Sequence, residues 1–194
     1  MHEKLWKKLL DSDNHEDTAR RAGCLWKPGV QQFAIKFLNS DYTVDLSTER
    51  ITDNSNNSTG FLEQLCILAY LIDAEPVEFS GELVKAELLP GGQFFFRGPH
   101  CLPDDKVLKA FGRNPELLYS ASEELNASKC EFGDASVEVL ILPRVSAVFI
   151  VWGEDDEFPA RSSILFDSEV YRQLPLDALW TSVNLTVRFM LNQK

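Results

Sequence analysis

The chain has 194 residues, 44% of them apolar, 25% charged and 11% aromatic, a composition that suits one soluble domain with a substantial core. Its formal charge is -11, so it lacks the basic surface that nucleic acid requires. No apolar run approaches the roughly 18 residues of a membrane span. The opening "MHEKLWKKLLDSD" has neither the apolar core nor the small-residue cleavage pattern of a secretory signal, so a cytoplasmic location is expected.

Charge is unevenly spread. Residues 1–30 carry six Lys and Arg against five Asp and Glu, and the remainder carries thirteen against twenty-five. Residues 3–10, "EKLWKKLL", place Leu5, Trp6, Leu9 and Leu10 on one face of an amphipathic helix. Residues 1–18 are therefore read as a helical arm and 19–194 as one domain. Such an arm either packs on its own domain or meets a partner or a membrane surface, and it is too short to hold a membrane alone.

"QFAIKFLNSDYTVDL" alternates Phe33, Ile35 and Phe37 with polar positions, turns at Asn39-Ser40-Asp41, and resumes with Tyr42, Val44 and Leu46, which predicts a hairpin. Residues 58–74 predict the strongest helix, capped by Ser58 or Thr59 and apolar on nearly every face, as a central helix must be. Leu83-Val84 and Leu88-Leu89 lead into a Pro90-Gly91-Gly92 turn, and Phe94-Phe95-Phe96 leave it; this lacks the pattern of a phosphate loop. Residues 103–127 predict two helices, the second opening with Asn114 as cap and Pro115 at its first position. The apolar runs 137–142 and 147–152 form a hairpin at the heart of an antiparallel sheet, and "SSILFD" adds a strand. The closing helix presents Leu179, Trp180, Val183, Val187, Met190 and Leu191. The fold class expected is α+β: a mainly antiparallel sheet packed against a buried central helix and a C-terminal helix.

Chemistry-bearing motifs are few. Cys24, Cys66, Cys101 and Cys130 lie far apart and form no CxxC, so they read as free thiols. His2, His15 and His100 form no ligand pair at helical spacing, and no nucleophile elbow is present. The adjacent His100 and Cys101 diverge on extended chain and read as loop residues. The one conspicuous stretch is "VWGEDDEFP", residues 151–159, where an apolar strand ends at Trp152-Gly153 and four carboxylates follow. If the chain stays extended, Asp155 and Glu157 share a face, and Arg161 lies near enough to compensate their charge. Three readings fit: a solvated turn; oxygen ligands from Asp155, Glu157 and Asp167 around a hard cation; or a pocket in which Trp152 gives apolar area and a carboxylate gives orientation.

The strings "LLPGGQFFF", "VLILPRVSAVFIVWGEDDEFP", "SSILFD" and "LPLDALWTSVNLTVRFML" occur in an order that resembles the family called domain of unknown function 3786. The resemblance covers roughly residues 19–191. It is most specific where Trp152, Asp155, Glu157-Phe158-Pro159 and Ile164-Leu165-Phe166-Asp167 follow one another. It implies no established activity. Family members resemble proteins of anaerobic bacteria and archaea, and some carry an iron–sulfur domain similar to that of the corrinoid iron–sulfur protein. That implies a setting in one-carbon or metallocofactor metabolism, although this chain lacks their clustered cysteines. The expected function is a non-catalytic accessory module that binds a small-molecule ligand or a partner protein. The candidate residues are Trp152, Asp155, Glu157, Phe158 and Asp167. A carboxylate-based metal-dependent enzyme using Asp155, Glu157 and Asp167 is the alternative, and an interaction protein working through the N-terminal arm is a third. No particular cofactor, metal or oligomeric state is implied.

Overall fold

The structure, a computed structural model, describes residues 2–192. Two short helices lead, α1 (His2–Leu10) and α2 (His15–Arg21). The apolar stripe of α1 buries Trp6 and Leu9 against the central helix α3 (Phe61–Asp73). The His2 ring also stacks on Phe61, 4.0 Å between centroids. Helix α2 is capped by Asn14, whose Oδ1 accepts the Asp17 N–H at 3.0 Å.

Strands β1 (Leu25–Lys27), β2 (Gln32–Phe37), β3 (Ser40–Asp45) and β4 (Arg50–Asp53) form an antiparallel meander in chain order. The alternation decides which face is covered: Phe33, Ile35, Phe37, Val44 and Ile51 are all buried. The turn falls one residue earlier than expected. Phe37 pairs with Ser40, which leaves Leu38 and Asn39 as a two-residue turn with φ of 48° and 61°. Positive φ at both positions matches the twist of the flanking strands, and this selects the tighter connection.

Helix α3 begins after the expected cap. Ser58 bridges to Thr52, and the Thr59 N–H donates to Ile51 O at 3.1 Å, so both residues extend the sheet and Gly60 takes the cap position. From Leu65 to Leu71 every residue is buried, whereas Phe61 and Leu62 at its start are exposed. Helices α1, α2 and α7 (Leu176–Asn192) surround it.

A second antiparallel sheet, where the sequence suggested only one, has the order β5-β9-β8-β7-β6. Its strands are β5 (Leu83–Lys85), β6 (Ser128–Lys129), β7 (Ala135–Leu142), β8 (Val145–Trp152) and β9 (Arg161–Asp167). The central β8 is buried at every position from Val145 to Val151, so both of its faces are covered, as its unbroken apolar run requires. The two sheets are tied where the Leu38 N–H donates to Ile141 O at 3.0 Å. Helices α4 (Gly92–Phe95), α5 (Asp104–Phe111) and α6 (Leu117–Ala121) connect β5 to β6. The residues after the Pro90-Gly91 turn coil into α4, and a Cβ on Gly92 would collide with the carbonyl oxygen of Ala86. Asn114 does not cap α6; Glu116 holds that position, and Asn114 accepts the Leu117 N–H through its backbone carbonyl at 3.2 Å. The result is an α+β fold with the C-terminal helix laid on α3. Among the described residues no helix is long and apolar enough to cross a membrane.

Candidate functional site

The β7–β8 register sets the geometry around the acidic stretch. Ala135 pairs with Val151, which brings Asp134 opposite Trp152 and Gly153. The Asp134 Oδ2 accepts the Gly153 N–H at 2.7 Å and fixes the point where the chain leaves β8. Gly133 lies beneath the indole with φ of 58°, and a Cβ there would stand 3.2 Å from Cε2 of Trp152. Glycine is required on both counts.

The carboxylates do not continue as extended chain. Asp155 Oδ1 accepts the N–H groups of Glu157 at 2.8 Å and Phe158 at 2.7 Å, and the Asp155 N–H donates to Phe158 O at 3.0 Å. This is a closed Asx turn. The N–H groups of Glu157 and Phe158 hold the Asp155 carboxyl below the usual carboxylate range. Glu154, Asp156 and Glu157 are exposed. The turn carries Phe158 outward, 66% exposed.

Arg161 starts β9 directly opposite Trp152. Its guanidinium lies over the indole with Cζ 4.4 Å from the ring centroid. Arg161 lies near enough in sequence to compensate the acids, yet among the described residues it forms no ion pair. Asp134, Trp152, Asp155, Phe158, Pro159 and Arg161 surround an open hollow of about 490 Å³. Trp152, Asp155 and Phe158 are thus brought together. The Glu157 side chain is not part of the lining; that residue contributes its backbone N–H to the turn.

Asp167 lies elsewhere. It ends β9 opposite Leu83, six residues from Arg161, about 20 Å along an extended strand. It is buried. Its Oδ2 accepts Ser80 Oγ–H at 3.0 Å and Gly81 N–H at 2.9 Å, and its Oδ1 accepts Glu169 N–H at 3.0 Å. Burial pushes this carboxyl up, and the N–H groups of Glu169, Gly81 and Ser80 outweigh it, so the carboxyl is held low. Asp155, Glu157 and Asp167 therefore do not meet at one point. Among the described residues no group of three or more His, Cys, Asp or Glu side chains is placed to share a metal ion.

The other candidates are separate. His15 packs on Trp26 with centroids 5.0 Å apart, and His100 stacks on Phe95 at 4.6 Å. Cys101 offers its carbonyl to the Trp180 indole N–H at 3.0 Å. All four cysteines are free thiols. Burial pushes the Cys24 thiol up to about 12, which makes it a poor nucleophile at neutral pH. Sequence reasoning missed Asp134 and Gly133. The signal was the register itself, since any strand paired with 145–152 must return residues 133–134 to the Trp152 end.

Residues 14–189 match the family described as domain of unknown function (DUF3786). The chain belongs to this family. The match spans most of the α+β fold and includes both the hollow and the Asp167 clamp. No curated protein and no solved structure matches the chain.

Proposed function

We propose that the chain is a non-catalytic binding module whose site is the hollow of Trp152, Asp155, Phe158 and Arg161. It takes a small organic ligand or a side-chain group of a partner protein. The observation that carries this reading is the unpaired Arg161. A guanidinium within seven residues of four carboxylates would ordinarily pair with one of them. Here it lies over an indole, so that its planar fork of donors remains available beside an exposed phenylalanine. Clefts of roughly 300–1,000 Å³ lined by aromatic groups and a few placed polar groups are the usual form of ligand sites. The setting in anaerobic one-carbon or metallocofactor metabolism comes from the family resemblance and belongs to the same proposal. The alternative, a carboxylate-held metal, needs Asp155, Glu157 and Asp167 to converge, and no observation favours it.

The test is native mass spectrometry of the protein equilibrated with a low-molecular-weight extract of cells grown without oxygen. The expected result is an added mass on the wild type that is lost in Arg161→Ala. An unadorned chain mass would reject the small organic ligand, and an adduct retained in full by Arg161→Ala would reject the hollow as its site.

A further inference from the structure

The charges that line the hollow fit one class of ligand. They are one cation, Arg161, and two carboxylates, Asp134 and Asp155. Both carboxylates are anchored through a single oxygen to backbone N–H groups: Asp134 through Oδ2 to Gly153, and Asp155 through Oδ1 to Glu157 and Phe158. In each, the second oxygen has no hydrogen-bond partner among the described residues. The hollow therefore presents a donor fork over the Trp152 indole and two acceptors held by backbone before any ligand arrives. The same hollow is lined by the apolar surfaces of Phe158 and Pro159.

A plain anion would find Arg161 but also two carboxylates. A plain cation would find the carboxylates but be repelled by Arg161 on the indole face. A zwitterion satisfies both sets at once. Resting on the binding reading above, we infer that the hollow takes a small zwitterion with an apolar body, of the α-amino acid class. Its carboxylate meets the Arg161 fork, its ammonium meets the free oxygens of Asp155 and Asp134, and its side chain lies on Phe158 and Pro159. The volume of about 490 Å³ admits an amino acid with a large side chain.

The experiment follows the indole N–H resonance of Trp152, assigned with Trp152→Phe, during titration with three probes of one shape. L-phenylalanine carries both charges, N-acetyl-L-phenylalanine only the negative one and L-phenylalanine amide only the positive one. The expected result is a saturable shift with phenylalanine at an affinity at least about tenfold above either singly charged probe. Asp155→Asn keeps an oxygen for the Glu157 and Phe158 N–H groups while removing the charge. It is expected to weaken phenylalanine about tenfold and leave the acetylated probe unchanged or tighter. A saturable shift of Trp152 by a singly charged probe as strong as that by phenylalanine would overturn the zwitterion and leave the hollow standing as a binding site. No shift from any of the three would overturn the amino acid class, while the adduct experiment judges the hollow independently.

Discussion

Asp155 and Asp167 lie toward the two ends of β9 and rely on the same device, a carboxylate that gathers backbone N–H groups, yet they do opposite things. Asp167 is buried and uses both oxygens, on Ser80, Gly81 and Glu169. It pins the segment before β5 and the segment after β9 to each other. Asp155 is exposed, uses one oxygen, and closes a turn made only of its own neighbours. A buried carboxylate with both oxygens bonded, to donors two residues away and more than eighty residues away, is a fold clamp. One with a free oxygen at the lip of a hollow is available to a ligand.

The largest effect should come from Asp167→Ala. It strands the Gly81 and Glu169 N–H groups and the Ser80 hydroxyl, a loss of about 3 kcal/mol. Asp155→Ala, whose donors turn to water, should cost far less. Urea denaturation of the two variants measures the difference, and similar values would break the contrast. The pH dependence carries the same sign information. The folded Asp167 carboxyl is held below its unfolded value of about 3.9, so its contribution is present above that pH and is lost as pH falls through the lower folded value. Asp167→Asn should therefore flatten the acid limb of the stability profile.

A third carboxylate beside β9 sharpens the comparison. Asp104 opens α5, and its backbone carbonyl accepts Ser162 Oγ–H at 2.8 Å. Burial pushes its carboxyl up to about 6, with the nearby Glu87 and Asp105 adding to the effect, against N–H groups of its own residue and Ile164. Here the folded value is raised, so the contribution is full below about 3.9 and is lost as pH rises through about 6. Asp104→Asn should raise stability at pH values above that point by about 1 kcal/mol and leave it unchanged near pH 4, as thermal melts at the two pH values would register.

Much of this could be read from residue order. The unbroken apolar run of β8 demanded cover on both faces, and the alternation in 33–46 fixed which side of the meander is buried. What could not be read were competitions between equal local options. Ser58 and Thr59 are good helix caps, but they are drawn into a bridge with Thr52 and a bond to Ile51 that only the formed sheet offers. The same is true of the acidic stretch. Its four carboxylates marked the place, but an extended chain and a closed Asx turn have the same composition, and the turn is what separates Asp155 from Glu157. Asp167 does not join Asp155 and Glu157, because the two ends of β9 open onto different surroundings.

The smallest stability effect and the most selective functional one should fall on Phe158. With 66% of its surface exposed, it contributes little to the core, so Phe158→Ala should change unfolding free energy by no more than about 0.5 kcal/mol. The Asx turn beneath it uses only the backbone N–H of this position, which alanine retains. If the ring is an apolar wall for a ligand, its removal should weaken that ligand about tenfold, through lost burial of the ligand's own apolar surface. Paired measurement of urea midpoint and Trp152 indole shift on this one variant separates the two roles. A fall in midpoint would make Phe158 a structural residue like those around Asp167. An unchanged midpoint with undiminished binding would leave its exposure without a part in recognition.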